Sequence, residues 1–155
     1  MKDEVTKPNL RVKLSAIQGS LKAPKGQTNK FGGYNYRSAE DILNSVKPLL
    51  GEWGCSLVVS DEIVEVAGRV YVRASATLAD NDSEQAIASH AFAREAESKK
   101  GMDETQITGS ASSYARKYAL NGLFAIDDTK DPDALNTHGT SNKPKTKTPS
   151  LEELI

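Results

Sequence analysis

The sequence predicts an α+β fold, an antiparallel β-meander packed against one long helix, with an extra helix near the N-terminus. Three observations carry the prediction. Residues 56–80 (SLVVSDEIVEVAGRVYVRASATLAD) are β-rich in two halves that meet at Ala67–Gly68, which is a hairpin signal. The second half alternates strictly: Val70, Val72, Ala74, Ala76 and Leu78 face one way, and Arg69, Tyr71, Arg73, Ser75 and Thr77 face the other. Residues 104–124 then hold small and apolar side chains at helical spacing.

Taken in order, residues 1–8 read as a flexible N-terminus, residues 9–128 as the folded domain and residues 129–155 as a tail. Leu10, Leu14, Ile17 and Leu21 recur at helical spacing, which predicts a first amphipathic helix. Residues 22–37 (KAPKGQTNKFGGYNYR) read as a loop entering a short strand near Tyr34–Arg37. Ser38 is a good N-cap, with Asp41 three residues on. The helix it opens buries Ile42, Val46, Leu49, Leu50 and Trp53 and ends at Gly54. Pro48 lacks an amide hydrogen, so it is expected to kink or restart that helix.

After the hairpin, DNDS marks a turn. Residues 84–97 (EQAIASHAFAREAE) are ambiguous, because the alanines favour helix while the short span between turns fits a third strand; we assign strand. Asp103 can cap the long helix. On that helix Ile107, Ala111, Tyr114, Ala115, Tyr118 and Gly122 form the face expected to pack on the sheet. The tail is poor in apolar residues and rich in Pro, Thr, Asn and Lys, so it is expected to be disordered, ending in a short acidic-apolar patch, LEELI.

Composition narrows the functional classes. With 155 residues and 37% hydrophobic content, one globular domain is expected. No apolar run is long enough for a membrane span, and the N-terminus has no apolar stretch of a secretory signal, so a cytoplasmic location is expected. The lone Cys55 excludes an internal disulfide and an all-cysteine zinc site. Net charge is only −1, but residues 1–30 hold seven cations against two acids, residues 31–128 nine against fifteen, and the rest are balanced. A basic arm on an acidic body reads either as a footprint for phosphates or as a solvated terminus.

Three stretches carry candidate chemistry. Thr108, Ser112 and Arg116 share one row of the long helix, with Ser113 and Lys117 beside them. Small hydroxyl residues let a phosphate backbone approach and the two cations neutralise it; the plainer reading is a solvated helix face. Lys30–Arg37 (KFGGYNYR) interleaves three aromatics with two cations around two glycines, which suits stacking on unpaired bases; its aromatics are equally suited to fill a core. The row Arg69, Tyr71, Arg73 repeats that chemistry on a strand, where the bland alternative is an exposed hairpin face. Catalytic signals are poor. His90 and His138 have no triad partner at a recognisable spacing, and no phosphate-binding Gly-rich loop is present. Asp127–Asp133 clusters four carboxylates that offer at most a weak Mg²⁺ site, without EF-hand spacing.

Three blocks of this chain, FGGYNYRSAEDILNSVKPLLGEWG, then GRVYVRASATLAD, then QITGSASSYARKYALNGLFAIDD, resemble in order the blocks of the essential recombination function (ERF) family of phage single-strand annealing proteins. The resemblance spans roughly residues 8–131, and the third block is the most specific. It implies a β-β-β-α annealing-recombinase core that assembles into rings, binds single-stranded DNA in a basic groove without ATP, and pairs complementary strands in the host cytoplasm. It favours the strand assignment for residues 84–97. It implies that Arg116 and Lys117, on the helix after the meander, contact phosphates. Lys30, Tyr34, Tyr36, Arg37, Arg69, Arg73 and Ser112 follow as further DNA-binding candidates. The acidic run after Asp128 is broken by Thr129 and Lys130, which weakens any metal role. The expected protein is not an enzyme and needs no cofactor. Its expected partners are single-stranded DNA, further copies of itself and, through the tail, a single-strand-binding protein. The rival classes are a metal-dependent DNA-processing enzyme built on Asp127, Asp128 and Asp131, and a structural oligomer or adaptor that binds no DNA.

Overall fold

A computed structural model describes residues 6–98 and 100–127. The element order is α1 (Leu10–Ser20), β1 (Gln27–Asn29), β2 (Tyr34–Tyr36), α2 (Ala39–Trp53), β3 (Cys55–Val66), β4 (Arg69–Asp80), β5 (Ala86–Arg94) and α3 (Glu104–Phe124). The α+β class and the extra N-terminal helix stand as expected. β3, β4 and β5 form an antiparallel meander in that spatial order, and β1 and β2 form a separate two-stranded ribbon. The tail and its LEELI patch lie outside the described residues, as do Asp128 and Asp131 of the acidic cluster.

The hairpin between β3 and β4 turns on two residues. Ala67 and Gly68 both have positive φ, 52° and 74°, as a tight hairpin turn demands, so register runs from Val66↔Arg69 to Cys55↔Asp80. Residues 86–94 are strand, paired with β4 from Ala79↔Ala86 to Tyr71↔Arg94. Pairing with a long central strand outweighs the helical preference of the alanines. The alternation expected of β4 is present: Val72, Ala74, Ala76 and Leu78 are buried, while Val70, near the strand end, is exposed.

α3 crosses the same face of β4 and β5. Its buried row is Ile107, Ala111, Ala115, Ala119 and Leu123, joined by Leu120 and Phe124. Two expected members of that row are corrected, because Tyr114 and Tyr118 are 57% and 45% exposed. The expected face spanned too wide an arc. Alanines at i, i+4 and i+8 bring helix and sheet close, and there is no room between them for a phenol ring. At Gly122 even a Cβ would sit 2.7 Å from the Ser89 hydroxyl of β5.

α2 does not restart at Pro48. It runs unbroken from Ala39 to Trp53. Both ends are secured: Ser38 and Asp41 form a reciprocal capping box, and Gly54 closes the C-terminus at φ 62°. Buried Ile42 and Val46 anchor the middle, while Leu49, Leu50 and Trp53 are only half-buried.

α1 carries an unexpected core member. Lys13 is 2% exposed between Leu10 and Ile17, and its Nζ donates to Asp80 at 2.7 Å and Asp82 at 3.0 Å. Lys7 adds a bond to Asp82 at 3.0 Å. Two cations of the basic arm are thus committed to the β4–β5 turn. Hydrogen bonds from Lys13 and from the Asp82 amide hold the Asp80 carboxyl at about 2, against the opposing pull of burial.

Candidate nucleic-acid interface

Arg116 and Lys117 are adjacent in sequence, so on α3 their side chains leave about 100° apart. They serve different neighbours. The Arg116 guanidinium turns toward β3 and holds Asp61 through Nε at 3.0 Å and Nη2 at 3.0 Å, and the Ser112 hydroxyl donates to the same carboxylate. Burial works to raise the Asp61 carboxyl, but the Arg116 and Ser112 hydrogen bonds and the Arg116 charge hold it below its ordinary range. Lys117 turns the other way, toward β2, with Nζ 5.7 Å from the Tyr36 ring and 5.8 Å from the Tyr118 ring.

That second direction opens a cleft of about 510 Å³ between the β1–β2 ribbon and α3. One wall is the edge-to-face pair Tyr34 and Tyr36, with centroids 6.3 Å apart. The other is Tyr114 stacked on Tyr118, also at 6.3 Å. Lys25, Arg37 and Lys117 bring three cations to the lining, and Ser38, Ser110 and Ser113 bring small hydroxyls. Among the described residues, no carboxylate lines it. Two tyrosines one helical turn apart must share a face of α3, and the ribbon supplies the opposite wall because period two places Tyr34 and Tyr36 on one side.

Arg37 also frames the cleft. Its Nε donates to the Ala23 carbonyl at 3.0 Å and its Nη1 to the Asp127 carbonyl at 3.3 Å. It ties the segment leaving α1 to the segment leaving α3, which positions the ribbon.

Of the nine candidates read from the sequence, Tyr34, Tyr36, Arg37 and Lys117 line this cleft. Lys30 is exposed at the tip of the ribbon. Ser112 and Arg116 lie on the flank of α3 that faces β3. Arg69 and Arg73 lie on the sheet face opposite α3, where Arg73 approaches Glu62 at 3.7 Å and the Phe92 ring at 6.0 Å. Lys25, Tyr114 and Tyr118 were missed as site residues. The pairing of Tyr114 with Tyr118 across Lys117 was the available signal, but assigning both rings to the core hid it. Among the described residues, no group of three metal-capable side chains comes together, and no helix is long and apolar enough to cross a membrane.

A chain with this fold and cleft has recorded relatives. A family model described as the ERF superfamily matches residues 10–153. The Essential recombination function protein of Salmonella phage P22 is 57% identical over 121 residues, covering 78% of this chain. The chain spans 57% of the length of that relative. No solved structure gives a significant match.

Proposed function

From the premise that this chain belongs to the ERF superfamily, we propose that it acts in phage recombination by binding single-stranded DNA and annealing complementary strands without ATP. The observation that carries this reading is the cleft into which four tyrosines, three cations and three serine hydroxyls converge. Tyrosine faces stack on bases of any sequence, and cations beside them neutralise the backbone, which together suit an unpaired strand. Lys117, with Lys25 and Arg37, takes phosphates, while Tyr34, Tyr36, Tyr114 and Tyr118 take bases. Arg116 takes a phosphate only by giving up Asp61. The protein makes and breaks no covalent bond and requires no cofactor, and copies of it assemble so that one strand passes along successive clefts.

The test is to mix two complementary strands with the protein, without ATP, and follow duplex formation over a salt series. Acceleration that falls steeply with salt is expected, with the log of affinity declining by about 0.7 per phosphate contact per log unit of salt. Absence of binding, or binding indifferent to salt, sinks the reading in favour of a structural adaptor. Cleavage of labelled DNA in Mg²⁺ sinks it in favour of a nuclease.

A further inference from the structure

Phe31 stands at the tip of the β1–β2 ribbon with its side chain wholly in water, at 105% relative exposure, the largest exposure of any large apolar side chain among the described residues. From there it adds nothing to the core. The tip that carries it is nonetheless tightly built. The Asn29 side-chain oxygen accepts from the Phe31 amide at 2.9 Å and the Gly32 amide at 3.1 Å. The Gly33 amide donates to the Asn29 carbonyl at 2.9 Å, with φ 63° at Gly33. The Asn29 amide nitrogen donates to the Tyr34 hydroxyl at 2.9 Å. Gly32 lies flat on the Tyr34 ring, where a Cβ would come within 2.3 Å of the ring carbons. A ring on a floppy loop would lose entropy on every contact, whereas this one is already aimed.

Asn29 and Tyr34, which hold the tip, also line the cleft, so Phe31 is mechanically continuous with the tyrosine wall. Its neighbourhood in sequence is basic, with the Asp41 carboxylate set back beside Gly26 at the entry to the ribbon. No acid occurs between Val5 and Ala39, while Lys22, Lys25, Lys30 and Arg37 surround the ribbon in sequence. An exposed aromatic among cations is suited to a partner that offers flat apolar rings and negative charge together, which is a nucleic acid strand rather than an apolar protein groove.

We propose that Phe31 is a stacking wedge for the nucleobase that leaves the cleft, inserted between successive bases of a single strand while Lys30 meets the adjoining phosphate. This rests on the single-strand binding proposed above and adds a specificity-determining residue to it. The wedge holds the strand by its bases rather than by its charge.

The test compares wild type, Phe31→Ala and Phe31→Trp on oligothymidylate and on an abasic strand of equal length, with sedimentation measured in parallel. Phe31→Ala is expected to lose about tenfold in affinity for oligothymidylate, to keep its affinity for the abasic strand, and to keep the salt slope. Phe31→Trp is expected to retain affinity, and its added fluorescence to be quenched by oligothymidylate and not by the abasic strand. Equal loss on both strands, or no loss on either, overturns the wedge. Loss of self-association with DNA affinity intact overturns it by assigning Phe31 to a second copy of the chain. If wild type binds neither strand, the proposed function falls and the wedge with it; if wild type binds and only the Phe31 variants behave as wild type, the wedge alone falls.

Discussion

At the scale of single residues, the divergence of Arg116 and Lys117 has measurable consequences. Lys117 stands between Tyr36 and Tyr118, inside the cleft. Lys117→Ala is therefore expected to weaken single-strand binding several-fold and to reduce the salt slope by about 0.7, with an unchanged circular dichroism spectrum. Arg116 is different, because Asp61 already occupies its fork. That half-exposed pair contributes at most about 1 kcal/mol to stability, so Arg116→Ala is expected to cost little in a denaturant titration. Asp61→Asn removes the competitor for Arg116. It is expected to tighten single-strand binding a few-fold at low salt, measured by fluorescence anisotropy; unchanged affinity would show that Arg116 does not reach the strand.

At the scale of elements, α3 does two jobs with two faces. The alanine row Ala111, Ala115 and Ala119 lets it lie close on β4 and β5, and the tyrosine row one step around the helix builds the cleft wall. The closeness of the first sets the position of the second. Ala115 is fully buried against the sheet. Ala115→Leu adds volume where none is available and is expected to cost about 1–3 kcal/mol in a denaturant titration. It should also weaken strand binding, because the helix must lift and carry Tyr114 and Tyr118 with it. The strand assignment of residues 86–94 was open in the sequence, since alanine-rich stretches suit either period; the free edge of β4 decided it. The ribbon was half legible. β2 was expected, but β1 is a three-residue strand of Gln, Thr and Asn with no apolar pattern, and only its pairing with β2 defines it.

At the scale of the whole molecule, one buried polar junction joins the N-terminal helix to the meander. Lys13 and Asp80 are each nearly excluded from water, and Lys13→Ala would leave the Asp80 carboxylate buried without its cation. That change is expected to lower the thermal unfolding midpoint by several degrees. The pH dependence follows from the direction of each shift. The Asp80 carboxyl lies at about 2 in the folded protein against an ordinary 3.8, so its contribution is complete above about 4 and is lost as pH falls toward 2. Hydrogen bonds to Asp80 and Asp82 raise Lys13 above its ordinary value despite burial, so that contribution is present below the usual lysine range and lost only in strong alkali. Denaturant titrations from pH 2 to pH 7 are expected to show an acid limb in the wild type that is reduced in Asp80→Asn. The junction also changes the meaning of the charge map. The excess of cations in residues 1–30 is not a uniform arm: Lys7 and Lys13 are neutralised at the β4–β5 turn.

The sequence by itself determined the α+β class, the hairpin at Ala67–Gly68, the alternation of β4, both caps of α2 and the N-cap of α3, because each is written in local spacing and in single residues whose backbone preferences are strong. It also carried the family likeness in its three blocks. Only the tertiary structure decided where the side chains of α3 go. Periodicity says which residues share a face, but not how near the neighbouring layer comes. The close approach allowed by Ala111, Ala115, Ala119 and Gly122 expelled Tyr114 and Tyr118 into the cleft. The position of Asp61 across β3, distant in sequence, turned Arg116 away from its neighbour Lys117. Lys13 was read as surface charge because the two aspartates that make its burial tolerable lie nearly seventy residues away in sequence, and no local pattern records them.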